Sequence, residues 1–127
     1  MSLSDYFENM RGFGVLATAD ASGNVDLAIY AKPHVIDETT IAFIMRERLT
    51  RRNLKSNLRA AYMFVERGKG YAGKRLYLTK IREETNTSVV EMFRKKQPEI
   101  CASSDDSNKY LVHFQVDDIR PLVGDTT

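Results

Sequence analysis

The chain of 127 residues has a single cysteine, Cys101, so it can form no internal disulfide and no cysteine-based zinc cluster, and a reducing cytosol is the compartment it suits. No apolar run approaches the ~18 residues a membrane-spanning helix needs. The start, Met-Ser-Leu-Ser-Asp-Tyr-Phe-Glu, is acidic and has no apolar h-region, so no secretory signal is expected. There are two histidines, His34 and His113, far apart and without H-x-x-x-H or H-E-x-x-H spacing, which argues against a metal site. His113 reads instead as a core or interface residue. Nothing resembles Gly-x-Ser-x-Gly, so a hydrolase triad has no support. The glycines of Gly68-Lys-Gly-Tyr-Ala-Gly73 precede a strand rather than a helix and form no dinucleotide fingerprint.

What is present fits one domain spanning 1–127, with 43% hydrophobic and 28% charged residues. The net charge is only +2, but it is unevenly spread. Both ends are acidic, whereas residues 46–59 and 66–82 each carry six cations against one acid. That middle stretch should set up a positive potential.

Local patterns give an order of elements. Ser2-Leu-Ser-Asp5 has capping-box spacing, and Leu3, Tyr6, Phe7 and Met10 recur at helical intervals, predicting a helix over 3–11. Phe13–Asp20 and Val25–Lys32 read as a hairpin around Ala21-Ser-Gly-Asn24, ended by Pro33. Ile41–Met45 is a third strand. Thr50 stands at a plausible N-cap of a short helix bearing Leu54 and Leu58. Strands follow over 59–66 and 75–82, then a helix from about Ser88 to Lys96, a polar loop over 103–108 and a sixth strand over 110–116. Pro121 and the residues after it read as terminal trim. Six short strands joined by tight turns predict a mainly β (α+β) fold, an antiparallel sheet closing towards a small barrel with helices outside it.

The segment from Ile41 to Asn57 carries the most chemistry: a strand, an arginine-bearing bend and a helix start. Unpaired N–H groups and the positive dipole end at a helix N-terminus favour an anion. Arg46, Arg48 and Arg51 could add charge-assisted bonds to a phosphate. The plainer alternative is a capped helix with its arginines in solvent. Strand tyrosines among the basic residues also suit single-stranded nucleic acid, a rival reading.

Leu16-Ala-Thr-Ala-Asp20, Gly23-Asn-Val-Asp-Leu-Ala-Ile-Tyr-Ala-Lys-Pro33, Thr40-Ile-Ala-Phe-Ile-Met45, Leu49-Thr-Arg-Arg-Asn-Leu54 and Gly73-Lys-Arg-Leu-Tyr77 together resemble the pyridoxamine 5'-phosphate oxidase-like, FMN-binding split-barrel family. The resemblance covers about residues 3–82. It implies a split β-barrel homodimer with FMN in clefts at the subunit interface, acting as an oxidoreductase on a small molecule that the sequence does not specify. By resemblance, Ala28, Ile29, Tyr30, Ala31 and Lys32 would run beside the flavin and its ribityl chain. Arg46, Arg48, Leu49, Thr50, Arg51 and Asn53 would form the phosphate loop and helix start, and Arg75 would approach the flavin of the partner subunit. Related split barrels use haem or a deazaflavin, and a flavin carrier without turnover is the non-enzymatic alternative. Two features depart from the oxidases: Leu49-Thr50 replaces their Arg-Lys pair, and their C-terminal arginine and histidine have no match beyond Val116. The resemblance therefore implies flavin binding rather than pyridoxamine-phosphate oxidation, and no catalytic side chain is assigned.

Overall fold

A computed structural model describes residues 2–68, 70–85 and 109–124. The elements run α1 (Leu3–Asn9), β1 (Gly12–Ala19), β2 (Val25–Tyr30), β3 (His34–Asp37), β4 (Thr40–Arg46), α2 (Leu49–Ser56), β5 (Arg59–Glu66), β6 (Gly73–Glu84) and β7 (Lys109–Pro121). The seven strands form one antiparallel sheet in the order β2-β1-β5-β6-β7-β4-β3. This is the mainly β, split-barrel architecture the sequence predicts, with one more strand than the six expected.

The extra strand is β3. Pro33 does end β2, having no N–H to donate, but the chain resumes pairing at once, with His34 opposite Ala42 and Val35 opposite Ile41. The strand is short, lies at the sheet edge and is broken by a register shift, which is why four residues of mixed character gave no strand signal. The last strand is also longer than expected. Pro121 is not trim: it closes β7 opposite Lys74, and its carbonyl accepts a hydrogen bond from Arg75 Nε at 2.9 Å. The predicted helix over 88–96, Cys101 and the polar loop over 103–108 lie outside the described residues.

α1 begins as its capping pattern requires, with Ser2 Oγ accepting the Asp5 N–H at 3.1 Å. It ends two residues earlier than its apolar spacing suggests. Met10 is already extended, and the chain must enter β1 at Gly12, where an added Cβ would lie 2.0 Å from the Val65 carbonyl oxygen. The buried face of α1 seats Phe7 edge-on against Tyr6 and Phe64, with ring centroids 5.1 and 5.4 Å apart.

Alternation along the strands separates two faces. Leu16, Tyr62, Phe64, Leu76, Phe43 and Phe114 point inward and form the main core. On the other face, Ala42 and Leu111 are fully buried beside Ile44, and His113 on the same face is 2% exposed. His113 is thus buried, as its strand position suggests. At the opposite end of the sheet, Val25, Leu27 and Ile29 of edge strand β2 project outward and are 84%, 71% and 73% exposed. α2 packs on β1, β2 and β4.

Candidate functional site

The site is built where α2 meets the inward face of β2. Tyr30, the last residue of β2, points inward and packs edge-on against Phe43, with ring centroids 5.6 Å apart. Its hydroxyl is hydrogen-bonded with Thr50. Burial pushes the Tyr30 phenol above its ordinary pKa, the Thr50 bond and the Arg48 charge pull the other way, and the Asp26 charge adds to the rise. Tyr30, Arg48, Thr50 and Asp26 therefore share one electrostatic neighbourhood.

Thr50 is not the N-cap. α2 starts two residues earlier, from Arg48, whose carbonyl accepts the Arg52 N–H at 3.1 Å. The bend is tight, with the Arg48 N–H donating to the Arg46 carbonyl at 2.8 Å, and Thr50 is carried inside the helix, 4% exposed, facing Tyr30. A side chain committed to a tyrosine on another strand cannot fold back on its own helix terminus. The actual cap, Arg48, makes no side-chain cap bond, and the first turn holds no acidic residue. The first-turn N–H groups are left without a capping side chain, an arrangement that accommodates an anion.

The remaining predicted residues lie in several separate settings. Arg48 and Leu49 are exposed at the helix opening, while Arg46 is half-buried at the end of β4, opposite Lys109 on β7. Asn53 is buried and its Nδ2 donates to Thr18 Oγ1 at 3.1 Å, joining α2 to β1. Ala28 shares the inward face of β2 with Tyr30, and Ile29 points outward. Ala31 is held through its carbonyl, which accepts the Tyr62 hydroxyl at 2.9 Å; the same hydroxyl reaches the Tyr30 carbonyl at 3.1 Å. Lys32 is drawn away from the helix start, with Nζ donating to the Met10 carbonyl at 3.2 Å. Arg75 is drawn to the C-terminal segment, where it donates to the Pro121 and Gly124 carbonyls.

Arg51 stands apart from the other arginines. It is 8% exposed, its Nε donates to Glu83 at 2.9 Å, its Nη1 is paired with Glu47, and its guanidinium lies 3.4 Å from the centre of the Tyr110 ring. Lys80 joins the same cluster through Glu83 at 2.9 Å. Burial alone would raise the Glu83 pKa, but hydrogen bonds and charge from Lys80 and Arg51 hold it below the usual carboxylate range.

Sequence reasoning missed Thr18 and Glu83, and it placed Tyr62 only as a strand tyrosine, without its anchoring role. Thr18 was detectable as a polar residue on the inward face of β1, two positions from buried Leu16. Tyr62 and Glu83 act over separations of more than thirty residues, for which local patterns carry no signal. Among the described residues no group of three or more His, Cys, Asp or Glu is placed to hold a metal ion, and no helix is long and apolar enough to cross a membrane.

No family model matches this sequence, and no curated protein matches it. Solved structures do. An FMN-binding protein from Syntrophomonas wolfei superposes with a TM-score of 0.74 at 18% identity, covering 93% of this chain and 82% of the other. A protein of the pyridoxinephosphate oxidase family from Clostridium acetobutylicum, related to general stress protein 26, gives 0.68 at 15% identity, over 93% and 84%. The chain has the pyridoxamine 5'-phosphate oxidase-like split-barrel fold. HupZ of Group A Streptococcus shares that fold, with a TM-score of 0.73 at 20% identity over 98% of this chain and 95% of HupZ. In this split barrel, then, α2 and the end of β2 are the elements that gather Tyr30, Arg48 and Thr50.

Proposed function

We propose that this protein binds FMN at the opening of α2 and serves as a flavin-dependent oxidoreductase for a small molecule. The observation that carries the reading is the uncapped start of α2 beside the exposed Arg48 and the Tyr30–Thr50 pair, in a fold shared with an FMN-binding protein. The donor set suits a phosphate monoester: first-turn N–H groups, the dipole end of the helix and a guanidinium that makes no hydrogen bond or ion pair with other described side chains. Arg48 and the first-turn N–H groups would hold the phosphate, with Arg46 at the end of β4 adding positive charge. Tyr30 and Ala28, on the inward face of β2, would flank the ribityl chain. The flavin, when bound, supplies hydride or electron transfer; the protein binds it, orients it and sets its electrostatic surroundings.

The working unit in this reading is a homodimer. Val25, Leu27 and Ile29 form an outward apolar stripe that continues onto Phe13 and Met63, 53% and 38% exposed. A contiguous apolar surface of this kind marks an interaction site. A shallow groove of about 440 Å³ beside it, lined in part by Ala17, Ala19, Leu27 and Tyr77, offers a seat for a side chain of a second copy.

The decisive test is titration of FMN into the purified protein, followed by flavin absorbance and fluorescence, with riboflavin as the control lacking phosphate. FMN is expected to bind, and Arg48→Ala to weaken it by about 1.5–3 kcal/mol, the worth of a hydrogen bond to a charged group. Absence of FMN binding by the wild-type protein would refute the reading. If FMN binds but neither NADH nor NADPH supports turnover with any acceptor offered, the protein is a carrier rather than an enzyme.

A further inference from the structure

The cluster around Arg51 has a different character from the phosphate donors beside it. Its charged members are Arg51 and Lys80 against Glu47 and Glu83, two of each sign. Lys55, 3.6 Å from Glu47, lies on its exposed margin. The two cations and two anions cancel, so the core of the cluster adds little net potential for an anion. Arg51 Nε and Nη1 are both engaged by carboxylates, and the Tyr110 ring covers the guanidinium at 3.4 Å. Turning this group towards a ligand would break two ion pairs and a cation–π contact in a nearly buried setting, where each is worth more than at an exposed site.

The cluster also joins separate elements. Arg51 is in the first turn of α2, Glu47 in the bend that feeds it, Glu83 near the end of β6 and Tyr110 at the start of β7. We infer that Arg51 is a positioning residue: by bracing the first turn of α2 against Glu83 and Tyr110, it fixes the direction in which the helix opening faces the end of β2, and it does not itself touch the phosphate. The inference rests on the FMN site proposed above. It assigns Glu83 a role in cofactor affinity although that carboxylate carries the wrong charge to meet a phosphate.

The sign of one substitution separates bracing from direct contact. FMN and riboflavin are titrated into the wild-type protein, Glu83→Gln, Arg51→Lys and the double variant, with thermal unfolding recorded for each. Bracing predicts that Glu83→Gln weakens FMN about tenfold, as expected for losing a charge-assisted bond. Riboflavin affinity should move much less, and the double variant should be no weaker than Arg51→Lys alone. Were Arg51 a direct ligand, releasing it from Glu83 would leave FMN affinity unchanged or tighten it, and that result overturns the inference. Equal weakening of both ligands would indicate general loosening and overturn it too. Should Glu83→Gln fail to fold, Tyr110→Leu removes the ring under Arg51 and is held to the same FMN-against-riboflavin criterion. A wild-type protein that binds FMN while Glu83→Gln is silent defeats the inference alone; one that binds neither ligand defeats the FMN site and the inference with it.

Discussion

One hydroxyl anchors the end of β2. Tyr62 is fully buried on β5, burial raises the pKa of its phenol, and its proton is shared between the carbonyls of Tyr30 and Ala31. Tyr62→Phe should cost about 1 kcal/mol in chemical denaturation, the net value of a typical hydrogen bond, and should weaken FMN binding because Tyr30 loses its backbone anchor. Gly14, on neighbouring β1, leaves room for that ring: an added Cβ would lie 1.9 Å from Tyr62 Oη. Gly14→Ala should therefore destabilise by about 1–3 kcal/mol through overpacking, again read from denaturant midpoints. His113 gives a pH signature. Burial and the Arg82 charge lower its pKa, outweighing the pull of Glu84, so the folded state binds a proton less readily than the unfolded chain. Stability should be highest when both states are neutral and fall as pH drops below about 6.5, where the unfolded chain begins to protonate first. His113→Phe should flatten that limb in unfolding curves measured between pH 7 and 5. Few of these pairings were legible beforehand. His113 could be placed in the interior from its strand position alone, but its neighbours Arg82 and Glu84 come from β6, and only the sheet register brings them alongside.

α2 shows both how far local patterns reach and where they stop. Leu54 at its centre is fully buried as its apolar stripe suggests, yet Leu58 lies beyond the helix and is 49% exposed. The pattern that placed Thr50 at the cap was sound chemistry for an isolated helix; burial against Tyr30 competed with it and won. An arginine left at the cap position is a weak choice for helix stability, which makes Arg48 a residue kept at some cost to the element that carries it. Arg48→Ser should raise or preserve the thermal midpoint, adding up to about 1 kcal/mol through a genuine cap, while weakening FMN binding. A variant that loses both stability and affinity would show Arg48 to be structural. The strands divide in a similar way. β5 is recovered to the residue because it is a dense apolar run between turn signals, whereas the polar end of β7, Asp117 to Arg120, is held in the sheet by its pairing with β6 and carries no strand signal of its own.

At the scale of the whole molecule, part of the positive middle of the chain is answered from within. Arg51, Lys55, Lys80 and Arg82 pair with Glu47, Glu83 and Glu84, and Arg75 with backbone carbonyls, which leaves less free charge for a nucleic-acid backbone than the sequence suggests. The Arg51–Glu83 pair, 32 residues apart, is invisible to a running charge count. The apolar stripe on β2 was equally hidden, because Val25, Leu27 and Ile29 look like ordinary strand residues until β2 is found at an edge with that side uncovered. If this stripe joins two copies, Leu27→Glu should convert a dimer to a monomer in sedimentation analysis with little change in far-ultraviolet circular dichroism. A wild-type protein that sediments as a monomer at tens of micromolar would remove the dimer from the proposal.

The pleat of β2 gives one short stretch of chain two unrelated duties, Tyr30 and Ala28 turned towards α2 and Ile29 and Leu27 turned away. Their separation depends on counting in twos. Deleting a single residue from the Gly23-Asn24 turn, or adding one, would exchange the two sets if the pairing with β1 slipped to follow, sending the phenol into solvent and an isoleucine towards the helix. Length in that turn should accordingly be unforgiving, and its composition is constrained as well: Gly23 has open space around it but a φ of +86°, and the Asp20 carboxylate accepts the Ser22 and Asn24 N–H groups.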